Sequence, residues 1–301
     1  KQHLAIVIPA YKRTYLEEAL TSIASQTCKD FTLYIGDDCS SFDMFSIISP
    51  YQSKVDIVYK RFESNLGGRD LVAQWERCID MTQGEEWLWL FSDDDVMDSH
   101  CVQLFYDELQ KRNSFDLYHF NVKVIDDDDK ITRIPKPYPE ILSAYDYYKG
   151  KLSGRYLSLV VENIFSRRAY EKYGRFQNFD LAWGSDTATW IKFCKEKGMK
   201  TITDGFIYWR SGLENISPDM SSPIVKRKVN ALVNFFSWSF SYFPKSKRVL
   251  LINIRAFVSR MSKFKPYIHT ADTRKAIKDF CVSHQCRHLQ FPILLLIRYK
   301  R

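Results

Sequence analysis

Trp87-Leu88-Trp89-Leu90-Phe91 runs directly into Ser92-Asp93-Asp94-Asp95. Five consecutive apolar residues leave no polar face, so the stretch predicts a strand covered on both sides, as in a parallel sheet, with carboxylates at its end. The same pattern recurs toward the N-terminus. Residues 4–8 (Leu-Ala-Ile-Val-Ile) stop at Pro9, residues 31–35 lead into Gly36-Asp37-Asp38-Cys39-Ser40, and residues 55–59 lead toward Asn65-Leu66-Gly67-Gly68-Arg69. Helical spacing fills the gaps, at 15–25 with Leu16, Ala19, Leu20 and Ile23 on one side, and again at 71–81. Such alternation predicts βαβ units and an α/β fold, a Rossmann-like, doubly wound, mostly parallel sheet. Ligands in these sheets sit beyond the carboxyl ends of the strands.

After residue 98 the alternation weakens into a helix at 102–111, a strand at 117–125, an acidic turn and a Pro- and Tyr-rich stretch at 135–148. We read these as a second layer of the same domain. From Pro223 onward the pattern is helical and basic, which predicts three parts: 1–105, 106–214, and a C-terminal helical extension at 215–301. The net charge of +8 over 301 residues hides that division, because residues 215–301 carry 17 Lys and Arg against 3 Asp and Glu. An aromatic content of 15% and 45% hydrophobic residues exclude a disordered chain. Seven cysteines without a CxxC pair predict reduced thiols in a cytosolic compartment. Cys281, His284, Cys286 and His288 fit no structural zinc spacing. No apolar run approaches the ~20 residues of a membrane span, and the apolar and basic ending at 295–301 suggests a truncated chain.

Asp37 and Asp38 after one strand, and Asp93 to Asp95 after another, predict five carboxylates converging on one sheet edge. Their mutual repulsion calls for a cation or for hydrogen-bond donors. A divalent metal, Mn²⁺ or Mg²⁺, suits hard oxygen ligands and is commonly completed by substrate phosphates, which points to a nucleotide diphosphate. The alternative is that acidic turns cap helices and stay hydrated.

Ile6 to Arg13, Leu16 to Ile23, Gln26-Thr27, Asp37-Asp38-Cys39-Ser40, Asn65-Leu66-Gly67-Gly68 and Phe91 to Asp95 together resemble the family 2 glycosyltransferases of GT-A fold. The resemblance is dense over 4–105 and sparse over 160–217. It implies an inverting transfer of a sugar from a UDP-sugar, with a divalent ion on the diphosphate. It further implies that Pro9, Ala10 and Tyr11 hold the uracil, Tyr11 by stacking, that Asp38 accepts a hydrogen bond from the ring, and that Arg69 lies near the ribose and phosphates. Ser92-Asp93-Asp94 stands for the usual Asp-x-Asp. Asp94 then becomes the preferred metal ligand and Asp93 a donor contact, while reading Asp93-Asp94-Asp95 directly puts the ligand at Asp95. Ser185-Asp186 resembles the family's Glu-Asp at a helix start. Asp186 is thus the expected base that takes the acceptor's proton, with Trp183 against the acceptor, while the plain reading of Asp186 is an N-terminal helix residue with Ser185 as cap. Tyr208-Trp209-Arg210-Ser211-Gly212 with Asn215-Ile216-Ser217 resembles a segment that closes over the diphosphate, Arg210 neutralising the leaving group. Tyr11, Arg69, Asp186, Trp183 and Arg210 also have plain structural readings: a surface aromatic, a solvated cation, an N-terminal helix residue, a core aromatic and a surface ion pair. Asp126 to Asp129 reads as a solvated hairpin turn and is assigned no chemistry.

Basic, aromatic-rich segments such as Phe235-Phe236-Ser237-Trp238 fit either an anionic membrane surface or a face packed on the catalytic domain. The expected function is an inverting, metal-dependent hexosyltransferase acting on a glycan or lipid-linked acceptor, as in bacterial polysaccharide synthesis. It is placed in the cytoplasm at the inner face of the membrane, with peripheral contact through 223–301 and no nucleic-acid partner. The rivals are a sugar-phosphate nucleotidylyltransferase, for which the Gly-rich loop after the first strand is missing, and a non-catalytic basic module binding membrane or nucleic acid.

Overall fold

The computed structural model describes residues 4–111, 114–212 and 218–300. The strands are β1 (Leu4–Ala10), β2 (Phe31–Asp37), β3 (Asp56–Arg61), β4 (Trp87–Leu90), β5 (Val96–Met97), β6 (Leu117–Ile125), β7 (Ile131–Arg133), β8 (Ile141–Leu142), β9 (Asn163–Ser166) and β10 (Met199–Arg210). The α-helices are α1 (Leu16–Ala24), α2 (Met44–Ile48), α3 (Leu71–Ile79), α4 (Cys101–Gln110), α5 (Ala144–Leu152), α6 (Arg167–Lys172), α7 (Ser185–Phe193), α8 (Ser222–Tyr242), α9 (Lys247–Phe264), α10 (Thr270–Ser283) and α11 (Gln290–Tyr299).

One sheet runs in the order β3-β2-β1-β4-β9-β6-β10-β5. β3, β2, β1 and β4 are mutually parallel, β9 is antiparallel to both neighbours, and β10 is parallel to β6. This is the mixed α/β, GT-A-like architecture expected, with a mostly parallel centre. The order reverses between β1 and β4, which places a crevice beyond their carboxyl ends.

The side chains explain why these runs are apolar throughout. Leu4, Ile6 and Ile8 of β1 and Trp87 and Trp89 of β4 pack with α1 and α4 on one face. Ala5, Val7, Leu88 and Leu90 pack on the other with α3. Both faces are covered, so alternation disappears. The expected spans agree with the observed ones within about two residues, a normal scatter at element ends. β9 and β10 were not anticipated as strands, because β9 is four residues long and β10 carries a bulge between Ile202 and Phe206 that breaks its period.

Helices α8–α11 share the core of the second face, where Phe235, Phe236, Phe257 and Phe280 join Ala5, Val7 and Leu88 in one cluster. A buried polar network fixes their register. The Tyr148 hydroxyl of α5 donates to Asn253 Oδ1 of α9. Asn253 Nδ2 donates to Ser239 Oγ of α8 at 3.2 Å and to His284 Nε2 at 3.0 Å, and His284 Nδ1 donates to the Phe280 carbonyl at 2.8 Å. A carbonyl can only accept, so Nδ1 carries the proton and Nε2 stays bare. Protonating Nε2 would set it against the Asn253 amide donor.

Burial, only partly opposed by the Phe280 carbonyl, lowers the His284 pKa to about 4. A folded value below the unfolded one near 6.5 means that the unfolded chain binds the extra proton, so stability falls as pH drops from about 6.5 to 4. Thermal unfolding across that range is expected to cost the parent chain on the order of 3 kcal/mol from this residue, and His284→Gln is expected to flatten that part of the curve. Parallel curves for the two proteins would refute the account.

Candidate active site

A cleft of about 780 Å³ opens beyond the carboxyl ends of β1 and β4, and Asp38, Asp94 and Asp186 all line it. At one end the cluster after β4 is held by donors from the turn after β1. Asp93 Oδ2 accepts from the Tyr11 N–H at 2.8 Å and the Lys12 N–H at 2.7 Å. The Lys12 ammonium pairs with Asp94 and lies 3.8 Å from Asp93 Oδ1. Ser92 Oγ donates to Asp94 Oδ1. Asp95 is buried and accepts from the Arg210 N–H at 2.8 Å. Burial first, with Asp94 adding to it, holds the Asp93 and Asp95 carboxyls above the usual range. Burial pulls the Lys12 ammonium down, but Asp93 and Asp94 more than reverse it.

Of the five expected carboxylates, four line the cleft and Asp37 does not. Asp37 closes β2 and is satisfied inside the fold by the Tyr59 hydroxyl at 2.8 Å, the Ser40 N–H at 2.8 Å and Arg61 at 3.1 Å. Successive residues leaving a strand point opposite ways, so Asp38 faces the cleft where Asp37 cannot. Asp38 accepts from the Leu66 N–H at 2.7 Å, the Gly67 N–H at 2.8 Å and the Arg77 guanidinium. A Cβ at Gly67 would stand 2.7 Å from Asp38 Oδ2, so a side chain there would have to displace the carboxylate from its two amide donors. Arg69 is exposed and lies outside the cleft lining. The cation in contact with Asp38 is Arg77, in the last turn of α3.

Arg210 likewise differs from expectation. Its side chain is 1% exposed and not part of the cleft lining. It donates to the Asp94 carbonyl at 3.0 Å, the Asp126 carbonyl at 2.9 Å and the Asp129 carboxylate at 2.6 Å, over the Tyr15 ring at 4.0 Å. The acidic turn is the solvated β6–β7 hairpin expected, yet it supplies Arg210's counter-charge and so braces the backbone that carries Asp94. Asn215-Ile216-Ser217 and the boundary expected at 214–215 lie outside the described residues.

At the other end Asp186 stands in the first turn of α7, where the helix dipole favours a carboxylate. Gly184, not Ser185, is the N-cap, at φ 91°, and a Cβ there would meet Phe235 of α8 at 3.1 Å. Ser185 Oγ instead accepts from the Phe179 N–H at 2.9 Å. Trp183 lines the cleft and takes Lys228 Nζ over its ring at 4.8 Å. Lys151 of α5 and Phe235, Leu232 and Arg260 of the C-terminal helices complete this end. Pro9 and Tyr11 line the opposite end, Tyr11 with half of its surface exposed. Ala10 is buried behind them, its carbonyl accepting from the Asp38 N–H at 2.9 Å. Lys12 sat inside a recognised segment and was assigned no role, while nothing in the sequence separates Lys151 and Arg260 from other surface cations.

Among the described residues no three ligating side chains surround a common point. The donor set nevertheless fits a hard divalent ion of the kind bound by one or two carboxylates and substrate oxygens. Among the described residues Asp94 accepts from the side chains of Ser92 and Lys12, which can rotate away, whereas Asp93 and one oxygen of Asp95 are committed to backbone amides.

Comparison with known proteins agrees with this fold. S. aureus TarS 1–349, solved with UDP-GlcNAc, superposes with a TM-score of 0.59 at 13% identity, over 99% of this chain and 93% of that one. A mannosyltransferase from Pyrobaculum calidifontis, solved with GDP-Man and Mn²⁺, gives 0.55 at 13% identity, over 99% of this chain and 86% of that one. At such identities the likeness concerns the fold. A Campylobacter jejuni protein, the GalNAc(5)-diNAcBac-PP-undecaprenol beta-1,3-glucosyltransferase, is 23% identical over 201 residues, 64% of this chain and 60% of that protein. The match thus spans less than two thirds of that curated relative. The sequence model of Glycosyl transferase family 2 matches residues 5–174, more than half of the chain, and the chain therefore belongs to that family.

Proposed function

We propose that the protein is an inverting hexosyltransferase that moves a sugar from a UDP-sugar to a hydroxyl of a glycan or lipid-linked acceptor, with Asp186 as base. The observation that carries this reading is that Asp38, Asp94 and Asp186, distant in sequence, line one cleft with opposite ends suited to donor and acceptor. Tyr11 offers an exposed ring for the base and Asp38 an acceptor for its N–H. UDP is supported by the nucleotide sugar bound to S. aureus TarS, and a lipid-linked acceptor by the name of the C. jejuni relative.

In the transfer, the acceptor oxygen forms a bond to the anomeric carbon as the bond to the diphosphate oxygen breaks on the opposite face. The proton of the acceptor hydroxyl passes to Asp186. Asp94, with Asp95 beside it, would hold Mn²⁺ or Mg²⁺, which when bound offsets the diphosphate's charge. Asp93 keeps the Tyr11–Lys12 turn in place, and Lys12 supplies a cation at the same spot. We divide the chain into a nucleotide-sugar half at 1–105, an acceptor half at 106–214 and a helical part at 215–301 that also reaches the acceptor end through Phe235 and Arg260.

Among the described residues no helix is long and apolar enough to cross a membrane. α11 turns Ile293 and Ile297 inward and leaves Phe291, Leu296 and Tyr299 at 68%, 54% and 70% exposure, beside exposed Arg298 and Lys300. This face suits the anionic inner surface of a membrane, where a lipid-linked acceptor would be met.

Asp186→Asn is expected to lower transfer by about 10²–10⁴-fold while leaving UDP affinity unchanged. Transfer at the parent rate would remove Asp186 from the mechanism. Calorimetric titration with UDP is expected to show binding strengthened by Mn²⁺ in the parent chain, with the strengthening lost in Asp94→Asn. Asp95→Asn, at the Arg210 amide, is expected to lower the melting temperature as well. Sedimentation with phosphatidylglycerol vesicles is expected to retain the chain at low salt and release it at high salt, with Phe291→Ser plus Leu296→Ser weakening retention. Equal retention of parent and variant would place that face elsewhere.

A further inference from the structure

We propose that Lys151 of α5 and Arg260 of α9 form a subsite for a phosphate or diphosphate group on the acceptor, next to the sugar whose hydroxyl faces Asp186. This inference rests on the donor–acceptor reading of the cleft. Both side chains line the cleft at the Asp186 end, although they come from parts of the chain that the sequence separates. Among the described residues, neither forms an ion pair with a carboxylate. Lys151 Nζ donates to the Ser158 carbonyl at 2.6 Å. Arg260 reaches only the Ala256 carbonyl of its own helix, at 3.5 Å, and lies 6.0 Å from the Phe236 ring.

A guanidinium cannot discharge itself by losing its proton, so a recessed one without an anion keeps a charge and donors that a ligand in the cleft could answer. Burial lowers the pKa of Arg260 and no anion opposes that shift. Burial also lowers Lys151, which Asp186 supports from a distance and Arg260 opposes. The remaining acid beside Lys151, Glu162, is fully buried, and burial raises its pKa to about 7, so it answers Lys151 only in part and does not act on Arg260.

The cleft is therefore bipolar. At one end four carboxylates, Asp38, Asp93, Asp94 and Asp95, outnumber the cations Lys12 and Arg77, and at the other the cations Lys151 and Arg260 outnumber Asp186. A neutral sugar would leave Arg260 without an anion and Lys151 answered only by Asp186 at a distance and by Glu162 in part. Two positive groups, one a fork and one a point charge, match a multiply charged phosphate better than a single carboxylate.

The test uses the full chain saturated with UDP and Mg²⁺ and titrated with inorganic phosphate by calorimetry. The parent chain is expected to bind it, with Lys151→Met and Arg260→Gln each weakening binding about tenfold or more. Arg260→Lys is expected to retain most of it, and melting temperatures report folding of every variant. Absence of phosphate binding, or equal binding by parent and Arg260→Gln, overturns the subsite. Should UDP itself fail to bind, the nucleotide reading falls separately, and phosphate titration of the free chain against Arg260→Gln still decides the subsite. Displacement of phosphate by a farnesyl-diphosphate-linked sugar identifies a lipid carrier, and displacement by a glycerol-phosphate oligomer identifies a phosphodiester polymer. Displacement by neither overturns the assignment to an acceptor.

Discussion

The Asp93 carboxylate, accepting the N–H groups of Tyr11 and Lys12, ties the end of β4 to the end of β1, and the site is organised around that tie. Desolvating a carboxylate costs several kcal/mol. Two hydrogen bonds to a charged acceptor, each worth about 1.5–3 kcal/mol, and the neighbouring ammonium offset that cost. The tie depends in turn on strand register. β1 and β4 pair from Leu4 opposite Trp87 to Val7 opposite Leu90, and the Phe91 N–H donates to the Val7 carbonyl at 2.8 Å. A slip of one residue would turn Asp93 away from the Tyr11–Lys12 turn and drive Trp89 into the opposite face, where the smaller Leu88 and Leu90 pack.

Apolar burial makes the acidic edge affordable. Trp89 and Leu88, buried on opposite faces, each contribute roughly 1.5–3 kcal/mol, which holds the strand in place while its end gathers like charges. The acidic hairpin at 126–129 then acts from outside through Arg210, so a turn without chemistry of its own fixes the backbone beneath Asp94. The C-terminal helices work in a comparable way at the far end. Gly184 is held against Phe235, and Asp186 stands in the first turn of the helix that Gly184 caps. The base candidate is thereby positioned by a part of the chain that the family match at 5–174 does not include.

Much of the parallel sheet was legible, because strands buried on both faces leave a continuous apolar signature and their carboxyl ends are marked by Pro9, Asp38 and Asp93. β9 and β10 were not, since one is short and the other is interrupted. The roles of Arg69 and Arg210 were carried over from resemblance alone, and a positive charge near the right place in sequence says nothing of where a long, flexible side chain ends. Arg77 takes the contact with Asp38 because the helix after the Gly67 loop points it back at the strand end. Asp37 and Asp38 look equivalent as letters, and only the strand's alternation decides that one is structural.

By itself, then, the sequence determined the strands β1 to β4 and β6, the doubly wound α/β class and the acidic strand ends, because periodicity and punctuation are local properties of a chain. Which carboxylates meet, which cations answer them, and that Lys151 and Arg260 share a cavity with Asp186 were decided only by tertiary structure. Those facts depend on the packing of elements far apart in sequence, and electrostatic interaction depends on distance in space, which no pattern along the chain encodes.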